Sequence, residues 1–260
     1  MRVKAVLFAG LAQRLGVREE WIELDGAPTA GDVFQHYCRR EPLLGELGKS
    51  VMLAVNAEFC PPDTPLRDGD EIALLPPMSG GSPEPPSRMS GGSPEPPSRM
   101  SGGSPEPPLP FIETGLTRDP IPATPAEIPG LGAHGAVVSF EGVVRNCSQG
   151  REVVGLEYEA YEPMARSRLQ AIAAEAAARW PLLHLRILHR LGYLRVGEVS
   201  VQVVVASAHR ADAFEACRFA IDSLKRSAPI WKKEHFTNGS AWADGEFPVL
   251  GPTSPGTAPR

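Results

Sequence analysis

The chain of 260 residues is 42% hydrophobic and 22% charged, values that are ordinary for a soluble globular protein and leave room for two domains with separate cores. Its net charge of −5 argues against a general nucleic-acid-binding surface, which needs an excess of positive charge. No apolar run approaches the length of a membrane span, so no membrane association is expected. The 4 cysteines are widely spaced and lack a C-x-x-C pair, which indicates neither a disulfide framework nor a metal site and favours the reducing cytoplasm.

Residues 1–81 have the pattern of a small α+β domain. A helix is predicted over 29–40, where Val33, Phe34 and Tyr37 share one side. The residues between the first and second strands are expected to form a loop. Strands are predicted at 3–8, 21–24, 51–56 and 71–76. This order of elements indicates one sheet with a helix on one face.

The middle of the chain repeats an eleven-residue phrase, MSGGSPEPPSR, twice in full and a third time cut to nine residues. Each copy opens with a Gly-Gly pair, at 80–81, 91–92 and 102–103. Segments so rich in Pro, Gly, Ser and Glu bury too little apolar surface to offset their ordering entropy, so residues 82–110 are predicted to be a disordered linker. The later copies are interpreted as a tandem duplication within a tether, because added linker length costs little free energy.

Three stretches, VLFAGLAQRLG, LAVN and PLRDGDEIALLPPMSGG, resemble the small, sulfur-carrier subunit of molybdopterin synthase. The resemblance implies that residues 1–81 form a β-grasp (ubiquitin-like) domain. In that family an activating enzyme adenylates the terminal glycine, which is then converted to a thiocarboxylate that delivers sulfur. The partners implied for this domain are therefore an adenylating enzyme and a sulfur donor.

The Gly-Gly pair that follows the last predicted strand is internal, which departs from the family. Because only a free carboxylate can be adenylated, activity is expected to require cleavage between Gly81 and Ser82 by a processing protease. Gly81 ends a tail of about five residues, which extends about 17 Å and suits the depth of a pocket. Cleavage after Gly92 or Gly103 would leave eleven or twenty-two more residues of Pro-rich chain, which are costly to order.

Residues 111–246 predict a second α+β domain, followed by a flexible tail at 247–260. Helices are expected over 164–180, stopped by Pro181, and over 210–226. Strands are predicted at 135–146 (as one strand or a pair), 153–161, 183–194, 198–207 and 230–236. The second helix is predicted to bury a stripe formed by Ala213, Phe214, Cys217, Ala220, Ile221 and Leu224.

Basic residues gather at the ends of these predicted elements, where they can form one anion pocket for a phosphorylated substrate. On spacing alone another interpretation stays open. Lys225 and Arg226 can simply complement the dipole at a helix C-terminus, while Lys232 and Lys233 form an exposed charged pair. The residues concerned are Arg145, His209, Arg210, Lys225, Lys232 and Lys233.

Five longer stretches resemble the large subunit of molybdopterin synthase: SFEGVVRN, LEYEAYEPMA, HRLGYLRVGE, SAHRADAFEA and LKRSAPIWKKE. The resemblance implies an α/β-hammerhead-type catalytic domain that acts on cyclic pyranopterin monophosphate. Its two catalytic lysines correspond to Lys225 and Lys232, with roles in proton transfer or transient covalent attachment left open. The residues implied to contact the substrate are Val143, Val144, Arg145, His209, Arg210, Lys233 and Glu234.

Together the two resemblances imply a fused molybdopterin synthase, in which thiocarboxylated Gly81 supplies two sulfurs for the dithiolene of molybdopterin. No permanently bound cofactor is expected, and the catalytic domains are expected to pair as a homodimer. One alternative is a precursor of a ubiquitin-like sulfur carrier whose C-terminal domain is a non-catalytic passenger. Another is an inert fused scaffold, in which the uncleaved carrier packs on the second domain.

Overall fold

The protein is described here by a computed structural model covering residues 1–46, 50–77, 109–122, 128 and 132–243. The predicted cleavage site at Gly81 and Ser82, the repeats and the predicted tail at 247–260 lie outside the described residues, as does the predicted linker except for 109–110. In the part of the chain that is described, no helix is both long and apolar enough to cross a membrane.

The N-terminal domain is a five-stranded sheet with the strand order β2-β1-β5-β3-β4. Strands β1 and β5 are parallel and the other neighbours are antiparallel. This arrangement confirms the predicted β-grasp class. The strands are β1 (Arg2–Leu7), β2 (Glu19–Glu23), β3 (Met52–Val55), β4 (Glu58–Cys60) and β5 (Glu71–Leu75), and the helices are α1 (Ala9–Leu15), α2 (Ala30–Arg40) and α3 (Leu43–Glu46).

Helix α2 forms the core of this domain with one face of the sheet. It begins in a capping box, in which the Thr29 and Asp32 side chains satisfy each other's backbone N–H groups. Val33 and Tyr37 are fully buried against alternate residues of β1, as the sequence predicts. The prediction of a loop after β1 is wrong, because residues 9–15 form α1. This helix ends at Gly16, which has a left-handed φ of 68°.

The described residues of the C-terminal domain form two sheets. The first has the order β6-β10-β12-β7 and the second the order β11-β9-β13-β14, with β8 paired to β9. The strands are β6 (Phe111–Thr117), β7 (Ala136–Val143), β8 (Cys147–Ser148), β9 (Arg151–Ala160), β10 (Leu182–Arg190), β11 (Gly192–Arg195), β12 (Val199–Ser207), β13 (Ile230–Phe236) and β14 (Gly239–Trp242). Helices α4 (Glu162–Arg179) and α5 (Arg210–Ser227) pack on the first sheet.

The prediction of a single strand over 183–194 is wrong, because this range contains two strands, β10 and β11. The chain turns at Gly192, whose φ is 84°, so β10 belongs to the first sheet and β11 to the second. The apolar pattern continues through the turn because β10 is mostly buried and β11 buries Leu194, so periodicity alone does not reveal the change of sheet.

The stripe predicted for α5 is correct except at one residue. Phe214 is 62% exposed, and Ala216 lies among the buried residues instead. Phe214 and Ile221 are seven residues apart and so share one side of the helix. At the N-terminal end of α5 the described part of the protein leaves that side open, whereas the C-terminal end is covered.

Candidate active site

A cavity of about 600 Å³ lies where the C-terminal end of α5 meets both sheets of the C-terminal domain. Cationic, neutral polar and apolar side chains share its wall. The lining residues that carry hydrogen-bonding or charged groups are Arg145, Cys147, Ser148, Tyr158, His189, Ser200, Lys225, Lys232 and Glu234. The apolar part of the wall includes Phe140, Val143, Leu156, Val201, Ile221, Leu224 and Ile230.

The two lysines reach the cavity from consecutive elements. Lys225 lies in the last turn of α5, and Pro229 separates that helix from β13, which carries Lys232. Because residues of a strand alternate between its faces, Lys232 and Glu234 share the face that lines the cavity. The Lys232 Nζ lies 3.7 Å from Glu234 Oε1, so the carboxylate partly balances this lysine.

Arg145 enters the cavity wall just beyond the end of β7. The preceding Val144 is buried, with its N–H donated to the carbonyl of Glu198 at 3.0 Å and its carbonyl accepting from Gly197 at 2.9 Å. Val143 lines the cavity, whereas Val144 packs away from it with Leu194 in a separate apolar cluster. Val144 therefore anchors the segment that presents the Arg145 guanidinium.

Glu234 has a second contact, with a residue of β8. The Ser148 hydroxyl, in β8, donates to Glu234 Oε1 at 3.0 Å. This bond joins the loop after β7 to β13, so Arg145 and Lys232 are mounted on segments that are hydrogen-bonded to each other. The cavity can thus present several cations to one anion.

A neutral polar group lies deep in the cavity and was not predicted from the sequence; it is formed by Tyr158, His189 and Ser200. Burial lowers the pKa of His189 to about 4 and raises the pKa of Tyr158 above its ordinary value. These residues lie within strands at half-buried or buried positions, where polar side chains carry no motif. Only the packing of three strands, β9, β10 and β12, brings these side chains to one cavity.

Besides Val144, three predicted substrate contacts lie away from the cavity in the single chain. His209 and Arg210 are at the N-terminal end of α5, and the sixteen residues from His209 to Lys225 span about 24 Å of helix. Lys233 lies on the other face of β13, with Nζ 5.6 Å from the centre of the Trp242 ring. The structure thus brings together Lys225, Lys232, Arg145, Val143 and Glu234, but not these three.

The face of β13 opposite the cavity is covered by the N-terminal domain. Phe8 stacks on Trp231 with ring centres 5.0 Å apart and packs against Tyr161 at 5.2 Å. Leu75, at the end of β5, is fully buried in the same cluster, together with Met164. A shared apolar core of this kind stabilises docking of the two domains.

Polar contacts surround the apolar cluster. The Tyr161 hydroxyl donates to Glu71 at 2.6 Å, and the Ala9 N–H donates to Glu159 at 3.2 Å. Glu159 also pairs with Arg18 at 2.9 Å. The Trp242 indole N–H donates to Gln13 at 2.9 Å, beyond the other edge of the cluster. The interface therefore has an apolar centre and a hydrogen-bonded rim.

The Trp231 indole N–H donates to the carbonyl of Pro76 at 3.0 Å. Pro76 and Pro77 are the last described residues of the N-terminal domain, and Trp231 is adjacent to Lys232 in β13. The segment that leaves the N-terminal domain therefore starts beside the strand that supplies a cavity lysine.

Comparison with known families divides the chain in the same way. The MoaE protein family matches residues 117–227, and the ThiS family matches residues 5–81. The first match contains Arg145 and Lys225, and the second ends at Gly81.

Curated relatives match the C-terminal part of the chain. The molybdopterin synthase catalytic subunit of Pseudomonas aeruginosa is 54% identical over 111 residues, which cover 43% of this chain and 74% of that protein. The protein of the same name from a Nostoc species is 52% identical over 110 residues, which cover 42% of this chain and 67% of the relative. Among solved structures, molybdopterin synthase from Staphylococcus aureus is 39% identical, with a TM-score of 0.44, and covers 49% of this chain and 93% of its own.

Proposed function

Because this chain belongs to the MoaE protein family, we propose that it is a molybdopterin synthase that carries its own sulfur carrier, the ThiS-family domain at residues 5–81. The observation that carries the proposal is the position of β13. One face supplies Lys232 to a cationic cavity, and the other holds the base of the carrier tail through Trp231. The substrate is cyclic pyranopterin monophosphate, and the product is the dithiolene of molybdopterin.

The carrier tail delivers sulfur from Gly81. Gly81 is the fifth residue after Pro76, so an extended tail reaches about 17 Å from the point held by Trp231. That reach suits the cavity, because its residue Lys232 directly follows Trp231 in β13. Each transfer exchanges the sulfur of a glycine thiocarboxylate for oxygen and leaves a carboxylate, so two charged tails are consumed for each dithiolene.

The cations of the cavity divide the remaining work. Arg145 binds the cyclic phosphate through charge-assisted hydrogen bonds. Lys225 and Lys232 are the catalytic residues, because their amines approach the substrate from two elements and can transfer protons or form a transient imine. Glu234 holds the Lys232 ammonium in place through the 3.7 Å contact.

A second copy of the chain completes the phosphate site with His209 and Arg210. In one chain these residues are about 24 Å of helix away from Lys225. The exposed Phe214 lies one turn along α5 from them, where a neighbouring chain would bury it. Mixing Lys225→Ala chains with Arg210→Ala chains tests this arrangement. Activity that reappears on mixing supports a shared site, and two inactive proteins that stay inactive contradict it.

The function is tested with the full chain, an activating enzyme, ATP, a sulfur donor and cyclic pyranopterin monophosphate. We expect molybdopterin to form, and mass spectrometry to find a carrier fragment ending at Gly81, heavier by one sulfur-for-oxygen exchange when charged. Gly81→Ala is expected to be inactive although Gly92 and Gly103 remain. Full activity of that variant, or of a chain shown to be uncut, would refute cleavage at Gly81. A charged carrier without product would instead favour the carrier precursor with a passenger domain.

A further inference from the structure

The cavity has two chemically different ends. Arg145 and Lys225 are exposed at its mouth, while His189 and Ser200 are each only 5% exposed at its floor. The mouth carries positive charge that suits a phosphate. The floor is polar but uncharged, so a different part of a bound molecule must be recognised there.

The hydrogen bonding of His189 fixes which atom can receive a donor. Its Nδ1 lies 2.8 Å from the backbone carbonyl of Arg190. A carbonyl oxygen only accepts hydrogen bonds, so Nδ1 carries the proton and Nε2 of the neutral ring carries a lone pair. The ring stays neutral at physiological pH, because burial lowers the pKa of His189 to about 4.

Neighbouring side chains hold this ring in one orientation. The Tyr158 ring meets it edge to face, with the ring centres 4.9 Å apart. The Ser200 hydroxyl is close enough to the Tyr158 hydroxyl to influence its pKa, and it donates to the carbonyl of Gly142 at 2.9 Å. The imidazole is therefore restrained from both its own strand and β9, as a recognition group must be.

We propose that His189 determines specificity for the heterocycle of the substrate, by accepting a hydrogen bond at Nε2 from a ring N–H or amino group of the pterin. The proposal rests on the proposed function and names the part of that site which reads the ring system. The cations at the mouth of the cavity bind the cyclic phosphate of the substrate. The residues at the floor select a substrate whose other end, the heterocycle, carries hydrogen-bond donors.

A neutral acceptor fits this position better than a charged one. A protonated imidazole would repel the N–H donors and add a further cation to Lys225, Lys232 and Arg145. A carboxylate at the floor would pair with those cations and weaken the phosphate site. The lowered pKa and the fixed tautomer give an acceptor without either consequence.

The test compares His189→Phe with His189→Gln in the full chain. Phenylalanine keeps a ring against Tyr158 but offers no acceptor, whereas glutamine restores an acceptor near the position of Nε2. We expect the Kd for cyclic pyranopterin monophosphate to rise about 10-fold to 100-fold in His189→Phe and to recover to within about 5-fold of the unaltered protein in His189→Gln. At saturating substrate, kcat should change little, because the contact is made before and during the reaction.

Inorganic phosphate serves as the probe of the other end of the cavity. Its inhibition constant should be the same in all three proteins, since it binds only the cations at the mouth. Equal weakening of phosphate and substrate in His189→Phe would show a general structural defect and overturn the proposal. So would an unchanged substrate Kd in that variant.

Nitrogen-15 NMR of the unaltered protein provides a measurement that does not depend on folding of the variants. On addition of substrate, the Nε2 resonance of His189 should move upfield, as it does when a lone pair accepts a hydrogen bond, while Nδ1 stays unchanged. No shift of Nε2 at saturation would refute the proposal. Failure of the unaltered protein to turn over the substrate would refute the proposed function instead, so the two failures are distinguishable.

Discussion

The two faces of β13 do different things with the same seven residues. Lys232 and Glu234 line the cavity, where charged and polar atoms remain available to a ligand. Trp231 lies on the opposite face, buried against Phe8 and bonded to the carbonyl of Pro76. The first face has the character of a reaction site and the second that of a protein interface.

This difference shows how docking and chemistry can be linked without sharing residues. Adjacent residues of a strand are separated by about 3.3 Å along it, so Trp231 and Lys232 cannot move independently by more than a small amount. The interface therefore fixes where the carrier tail starts relative to the cavity. Substitutions on the two faces should consequently separate into those that change turnover and those that change docking.

The largest expected effect is on the cavity face. Lys232→Ala and Lys225→Ala should each lower product formation by more than about 100-fold, because each removes an amine that we propose acts in the reaction. Neither change opens a hole in a core, so the melting temperature should stay within a few degrees. Arg226→Ala, an exposed neighbour bonded only to Ser223 among described residues, is the matched control. Near-normal turnover by Lys225→Ala with a charged carrier would contradict the site.

The second effect is on the interface face. Trp231→Ala should weaken docking by about 3 kcal/mol or more, because it removes a buried indole and its stacking on Phe8. The Ala9 amide, which donates across the interface to Glu159, reports docking by hydrogen exchange in the full chain. Its exchange should become about 100-fold faster or more. Trp231→Phe keeps the stacking and loses only the bond to Pro76, so it should give an intermediate rate.

A smaller effect is expected at the rim of the interface. Burial and the bond to Glu71 raise the pKa of Tyr161 well above its ordinary value, so its hydroxyl remains a donor at physiological pH. Tyr161→Phe should weaken docking by about 1–2 kcal/mol and speed exchange of the Ala9 amide by about 10-fold. Tyr193→Phe is the control, because its hydroxyl donates to Val154 away from the carrier. Equal exchange rates of the Ala9 amide in the two variants would show that the Tyr161 hydroxyl does not stabilise docking.

The smallest effect concerns Lys233, which the family resemblance places among the substrate contacts. In the structure its Nζ lies over Trp242 on the interface face. Lys233→Ala should therefore change the substrate Kd by less than about 3-fold, whereas Arg145→Ala should raise it by about 10-fold or more. A similar rise of the substrate Kd in both variants would show that Lys233 contacts the substrate. The two faces of β13 would then not have separate functions.

Much of the fold could be predicted from local pattern. Eight of the described strands and the helices α2, α4 and α5 lie where apolar periodicity predicts them, and a ninth predicted strand covers both β10 and β11. Helix α1 was missed because its seven residues are too few for periodicity to separate a helix from a loop. Strands β4, β6, β8 and β14 carry no strong alternation, and they form because a neighbouring strand offers unpaired backbone groups.

For the site, the sequence determined which cationic side chains are available. Its motifs also determined which protein family the chain resembles. Long motifs carry Lys225, Lys232 and Arg145, and the structure places all three in the wall of one cavity. Only the tertiary structure decided the rest. It placed Lys233 away from the cavity, because alternation along β13 sends adjacent lysines to opposite faces. It also brought His189 to the cavity floor, since contacts between distant strands depend on packing that no local sequence pattern encodes.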